Sequence, residues 1–256
     1  MQFQEEIRQK KGKEKVVMLT GYDYPIAKIL DEMQIDIILV GDSLGMAVQG
    51  HSDTKSVTMQ DMTYHTRIVA RGAMNTPIIG DMPINSYNTP EDGLKNARLF
   101  LDAGAHGVKI EGNRSGIVKA LVREGIPVMG HVGMLPQSAD SYKVKGKEPE
   151  EANRILRDAL ELDKCGVFSI VLECVPESLA KKITEQVKAP TIGIGAGEYC
   201  DGQVLVINDL LGLDNGFKPK FVKRYADLNA IVRSAVGRFR DEVLAGEYPD
   251  DEHTYH

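Results

Sequence analysis

The stretch Val167-Phe168-Ser169-Ile170-Val171-Leu172-Glu173-Cys174 is almost unbroken apolar chain until it meets a carboxylate. A strand with one wet face alternates apolar and polar residues; this one does not, so it reads as a parallel strand covered on both faces. Runs of the same kind recur at 16–20, 35–42, 77–82, 107–111, 127–132, 190–196 and 204–209, usually ending in a polar or glycine cluster. Amphipathic segments separate them at 25–33, 59–73, 90–103, 115–124, 150–165 and 177–187, several with Thr, Ser or Pro near the start. Eight such strands alternating with helices in 256 residues predict an α/β fold, a closed (β/α)8 TIM barrel rather than an open sheet. A dinucleotide-binding sheet would want a G-x-G-x-x-G turn after the first strand, where the chain reads Thr20-Gly21-Tyr22-Asp23-Tyr24-Pro25. No linker interrupts the pattern. Residues 1–256 are therefore expected to form a single barrel domain, with a final helix over 222–245 and a short acidic tail at 250–252.

The net charge of -6 is not gathered into runs of one sign, which argues against a nucleic-acid partner. Cys165, Cys174 and Cys200 form no C-x-x-C pair, so neither a disulfide framework nor a zinc site is expected. They read as reduced thiols. The opening residues are charged and amphipathic rather than a signal peptide, and no window reaches the ~20 apolar residues of a membrane span. A cytoplasmic protein with no membrane partner is the expectation.

Barrel enzymes assemble their chemistry at the C-terminal ends of the strands. Those positions here hold Asp42 and Ser43, Asp81, Lys109 and Glu111, His131, and Glu173. Residues two apart on a strand share a face, so Lys109 accompanies Glu111, Ile79 accompanies Asp81, Met129 accompanies His131 and Val171 accompanies Glu173. Any one of these charges would pass as a solvated strand end or a helix cap. Together they form a cluster that one lysine cannot neutralise, and unpaired buried charge is costly. Asp42, Asp81 and Glu111, with no thiolate beside them, make a hard-oxygen set that suits Mg²⁺ or Mn²⁺ better than zinc. A 2-oxo acid would chelate such an ion through its carboxylate and ketone oxygens. Glu173, among apolar neighbours, is read as a general base whose pKa burial would raise. His131 reads equally as a structural residue or as a proton donor or ligand. In Ile192-Gly193-Ile194-Gly195-Ala196-Gly197 the glycines are expected to share one face and leave room inside the barrel for a ligand; the other reading is a phosphate site.

In these residues the chain resembles the ketopantoate hydroxymethyltransferase family. The likeness runs through nearly the whole length and includes Thr20-Gly21-Tyr22-Asp23, Val40-Gly41-Asp42-Ser43-Leu44-Gly45 and Gly80-Asp81-Met82-Pro83. It continues in Val108-Lys109-Ile110-Glu111-Gly112, Gly130-His131-Val132-Gly133, Pro136-Gln137-Ser138 and Leu172-Glu173-Cys174-Val175-Pro176. The resemblance implies a barrel of the phosphoenolpyruvate/pyruvate-like type. It also implies transfer of a one-carbon unit from 5,10-methylenetetrahydrofolate, or a related pterin, to 3-methyl-2-oxobutanoate, giving 2-dehydropantoate for pantothenate and coenzyme A synthesis.

Carried over to this sequence, Asp42 and Asp81 are the implied ligands of one Mg²⁺ per subunit, with Glu111 beside the metal directly or through water. Asp42, Ser43, Asp81 and Lys109 are the implied contacts of the 2-oxo acid, Glu173 the proton acceptor, and His131 and Tyr22 auxiliary candidates. The family also implies a homo-oligomer, often a decamer. His51, Ile84-Asn85 and Met134-Leu135 depart from the usual residues, and the stretch between Gln137-Ser138 and Tyr142-Lys143-Val144 is shortened. These departures touch neither the metal nor the base. Two other reaction classes fit a barrel: a Schiff-base aldolase with Lys109 as nucleophile, and a phosphoenolpyruvate-type mutase or lyase.

Overall fold

The structure, a computed structural model, describes residues 3–138, 143–213 and 219–256. The shortened stretch noted above falls largely outside them. Eight parallel strands close into a barrel in sequence order: β1 (Val16–Thr20), β2 (Ile37–Val40), β3 (Ile78–Asp81), β4 (Gly107–Glu111), β5 (Val128–Gly133), β6 (Ser169–Glu173), β7 (Thr191–Ile194) and β8 (Gly202–Leu205). The helices are α1 (Phe3–Lys10), α2 (Tyr24–Glu32), α3 (Leu44–Ala47), α4 (Met59–Gly72), α5 (Pro90–Asp102), α6 (Ser115–Arg123), α7 (Pro149–Lys164), α8 (Glu177–Gln186), α9 (Ile207–Leu211) and α10 (Leu228–Ala245). Contacts divide the chain into two compact units, Met1–Val206, which holds the barrel, and Ile207–His256.

The expected barrel and its alternating helices are present, most boundaries moving by one or two residues and two of them further. The last strand is not 204–209: pairing starts at Gly202 opposite Val16, and the chain turns into α9 at Ile207. The final helix begins at Leu228, not 222, where the Asp227 side chain accepts from the Ala230 N–H. Other helices start where their side chains cap them. Asp23 accepts from the Ile26 N–H ahead of α2, Thr58 and Asp61 form a reciprocal capping box at α4, and Thr89 accepts from Asp92 at α5.

Inside the barrel lie Val16, Met18, Ile37, Leu39, Ile79, Met129, Val171, Ile192 and Val204. Helix α1 closes the end at which the strands begin. Its Ile7 and Phe3 join that core, and the Phe3 ring meets Phe168 edge-on at 5.3 Å. Its charges tie it to the strand starts: Arg8 donates to the Gly166 and Val167 carbonyls at 3.0 and 3.2 Å, and Lys10 and Lys11 pair with Asp36 and Asp201. The apolar filling therefore ends one layer below the opposite rim. From there upward β3, β4, β5 and β6 present ionisable side chains to the interior.

Two glycine sites show how closely the shell packs. A methyl group on Gly80 would lie 2.2 Å from the Phe100 ring, so this residue lets α5 close onto β3 just before Asp81. The glycines of β7 do not do what the sequence suggested. Ile192 and Ile194 face the interior, whereas a side chain on Gly193 would run into Cys200 and Gln203. Gly195 and Gly197 have φ of +64° and +79°, so backbone geometry, not room for a ligand, explains them.

Candidate active site

Parallel register sets Asp81 beside Lys109, Glu111 beside His131 and Gly133 beside Glu173. Asp42 lies just past the end of β2 and reaches the same rim, its backbone N–H donating to Asp81 Oδ2 at 3.3 Å. Neighbouring strands thus place their interior side chains edge to edge. Lys109 Nζ donates to both oxygens of Asp81 at 2.8 Å and lies 3.8 Å from Glu111 Oε1. His131 Nδ1 is 3.4 Å from Glu111 Oε1, and its Nε2 is 3.2 Å from Glu173 Oε2. The six candidates from Asp42 to Glu173 form one continuous line of charges around the mouth.

All are buried except Glu173, whose side chain is 16% exposed. Burial, with the Asp81 charge beside it, pushes the Asp42 pKa well up; burial also raises Asp81, against the pull of Lys109. Burial alone would favour a neutral lysine at 109, but Asp81, Glu111 and Asp42 overrule it and drive its pKa up. For His131, burial and the Lys109 charge work downward, yet Glu111 and Glu173 on either side hold it up to about 9. Glu111 is pushed up by burial and down, more strongly, by His131 and Lys109, and ends below the usual range. Glu173 is thus not enclosed by apolar side chains alone, as its sequence neighbours implied. An imidazolium faces it.

Four carboxyl groups, Asp42, Asp81, Glu111 and Glu173, meet two basic side chains, Lys109 and His131. With all four ionised the cluster would lack two positive charges, and burial beside Asp81 without a further cation pushes Asp42 toward its neutral form. Glu111 Oε1 is buried with no hydrogen-bond partner among the described residues. A divalent cation fits this deficit and the all-oxygen donor set around Asp42 and Asp81. Among the described residues no three His, Cys, Asp or Glu side chains converge enough to cage a metal alone. Mg²⁺ usually binds one or two carboxylates and completes its shell with water and substrate oxygens.

Ser43, next to Asp42, shares a hydrogen bond of 2.8 Å with Tyr22 Oη, and the Tyr22 carbonyl oxygen lies 2.7 Å from His65 Nδ1. Two residues at the site were not singled out from sequence. Gln137, after β5, donates from Nε2 to Asp42 Oδ2 and to the Met82 carbonyl, each at 2.9 Å, and its backbone N–H donates to Glu111 Oε2 at 3.2 Å. Tyr87 donates its phenol to Gln137 Oε1 at 2.5 Å. Gln137 stands in the sequence within the Pro136-Gln137-Ser138 motif of the resemblance, with no role attached, and no motif marks Tyr87.

Compared with known proteins, the chain matches the family described as ketopantoate hydroxymethyltransferase over residues 2–251. It is 50% identical to the 3-methyl-2-oxobutanoate hydroxymethyltransferase of Caldicellulosiruptor saccharolyticus, covering 97% of this chain and 96% of that one. With the enzyme of that name from Thermosipho melanesiensis it shares 49%, covering 96% and 95%. Among solved structures, phosphonopyruvate hydrolase in complex with oxalate and Mg²⁺ superposes with a TM-score of 0.66 at 12% identity, covering 99% of this chain and 93% of that one. 2,3-Dimethylmalate lyase, a member of the PEP mutase/isocitrate lyase superfamily, gives 0.62 at 15%, covering 99% and 92%. These two likenesses concern the fold alone.

Proposed function

This chain belongs to the ketopantoate hydroxymethyltransferase family, and from that premise we propose that it adds a one-carbon unit from 5,10-methylenetetrahydrofolate, or a related pterin, to 3-methyl-2-oxobutanoate. The product is 2-dehydropantoate, for pantothenate and coenzyme A synthesis. The observation that carries the reading is the buried line of four carboxyl groups at the rim, set among the described residues against two basic side chains.

Asp42 and Asp81 would hold one Mg²⁺ per subunit, with Glu111 beside it. When bound, the ion supplies Lewis-acid polarisation to the 2-oxo acid. Ser43 and Lys109 bind and orient the acid, Ser43 with its hydroxyl held by Tyr22 and Lys109 with its ammonium held by Asp81. The Glu173 carboxylate takes the C3 proton, and the C–H electron pair stays on carbon, spread toward the ketone oxygen, where the fixed charge of Lys109 favours it. His131, 3.2 Å from Glu173 Oε2, fixes the direction in which that carboxylate points. The carrier opens one C–N bond, that nitrogen taking up a proton, to give its iminium form. The nucleophilic carbon bonds to the methylene carbon as the C=N π pair passes to the other nitrogen. Water then breaks the remaining C–N bond, its hydroxyl going to carbon and its proton to nitrogen, which yields the hydroxymethyl product and the free pterin.

The locked ammonium of Lys109 runs against a Schiff-base aldolase, because a protonated amine is no nucleophile. We also propose a homo-oligomer. None of the residues of α10 is buried, and Ile231, Val236, Phe239 and Leu244 are each more than half exposed. No helix among the described residues is long and apolar enough to cross a membrane. The test is a turnover assay with 3-methyl-2-oxobutanoate, Mg²⁺ and methylenetetrahydrofolate, each omitted in turn. Product is expected only when all three are present, and full activity after exhaustive chelation would reject the metal.

A further inference from the structure

We propose that Gln137, itself held by Tyr87, is the positioning residue of the metal site, setting the Asp42 and Glu111 carboxylates at the orientation in which they meet a divalent cation. This rests on the metal reading above.

Gln137 is 4% exposed. One terminal atom of its amide lies 2.9 Å from two acceptors, Asp42 Oδ2 and the Met82 carbonyl, so that atom must be the NH2. The other terminal atom is then the carbonyl oxygen, and the phenol it meets at 2.5 Å must donate. Every step in this chain of bonds has a single direction: Tyr87 Oη to Gln137 Oε1, Gln137 Nε2 to Asp42 Oδ2. The backbone N–H of the same residue takes Glu111 Oε2, leaving Oε1 as the buried oxygen without a hydrogen-bond partner. One residue from the loop after β5 therefore grips the ends of β2, β3 and β4 together. Carboxylates this close repel one another, and rotation is their means of escape. A donor on one oxygen of each removes that freedom before any metal arrives, which is how outer partners tune metal affinity.

The experiment is a titration of the metal-free, full-length protein with Mn²⁺, following free Mn²⁺ by electron paramagnetic resonance. Wild type is compared with Gln137→Met, which keeps the volume and removes the NH2 that serves Asp42 and Met82 while leaving the backbone N–H on Glu111, and with Tyr87→Phe, which removes one oxygen. Circular dichroism and Tm are recorded alongside. Weakening of Mn²⁺ affinity by roughly 10–100-fold is expected for Gln137→Met, and by about 2–10-fold for Tyr87→Phe, the loss of one hydrogen bond. If wild type binds and both folded variants bind as tightly, Gln137 is a loop tie and nothing more. If wild type itself binds no Mn²⁺, the metal reading falls, and this inference with it. Should Gln137→Met not fold, Tyr87→Phe decides the matter.

Discussion

Replacing Lys109 with methionine tests the charge balance of the site directly. The ammonium donates to both oxygens of Asp81 at 2.8 Å, and the two side chains are 6% and 2% exposed. At an effective dielectric constant of about 20, unit charges at that separation attract by roughly 6 kcal/mol. Methionine fills a similar volume and spares the cost of desolvating the ammonium, but it leaves Asp81 buried beside Asp42 with no cation. Removing one partner of a buried pair costs about 3–5 kcal/mol, which for a chain of this size lowers Tm by on the order of 10 °C. The assay is thermal and urea unfolding of Lys109→Met in EDTA at neutral pH. The deficit should depend on pH in a defined sense. The Asp81 pKa is already raised above 3.8 in the folded protein, and losing Lys109 raises it further. A raised pKa means that stability is fully present below the unfolded value and lost as pH rises through the folded one. The variant should therefore recover toward wild type on acidification, and Mg²⁺ should stabilise it at neutral pH. A variant as stable as wild type at neutral pH in EDTA would refute the reasoning, because the cluster would then not need its lysine.

Glu173→Gln should bind 3-methyl-2-oxobutanoate with similar affinity but exchange its C3 proton in D₂O some 10²–10⁴-fold more slowly, as followed by NMR without folate; exchange at the wild-type rate would pass the role of base to His131. Asp31 accepts the N–H groups of Asn75 and Thr76 at 2.9 and 2.7 Å, which outweigh burial and hold its pKa at about 2 rather than 3.8. Wild type should thus be more stable than Asp31→Asn above pH 3.8, with the difference vanishing as pH falls through about 2, measured by urea midpoints across acid pH. Sedimentation velocity at micromolar concentration should show an assembly larger than one chain, and a stable monomer would contradict the proposed homo-oligomer.

The barrel was legible because its strands are short, apolar and separated by amphipathic helices, and because residues two apart must share a face. That rule put Lys109 with Glu111 and Met129 with His131 on a common face, and the barrel turns both faces inward. It was silent where apolar chain carries no punctuation: Val204-Leu205-Val206-Ile207 holds no turn residue, so the passage from β8 into α9 left no mark. Nor does periodicity tell what a short charged helix will cover, and α1 read only as amphipathic. The β7 glycines misled because Gly193 repeats with a period of two but faces outward. Gln137 escaped notice for a different reason. Its bonds to Asp42 and Met82 join residues 95 and 55 positions away, and only the loop's path brings them together. The two faces of His131 likewise depended on which carboxylates the register set on each side.

A barrel stoppered by α1 is a cup with one lip. Whatever reacts at the lip has to depart by the way it arrived, since Phe3, Ile7 and the packed side chains above them allow no passage through the far end. Arrivals and departures then share one opening and exclude each other. A product that lingers competes with the next 2-oxo acid for the same empty enzyme, so its inhibition should be overcome by raising the concentration of that acid. Clearing of such a lip is one of the steps that limit turnover in many enzymes.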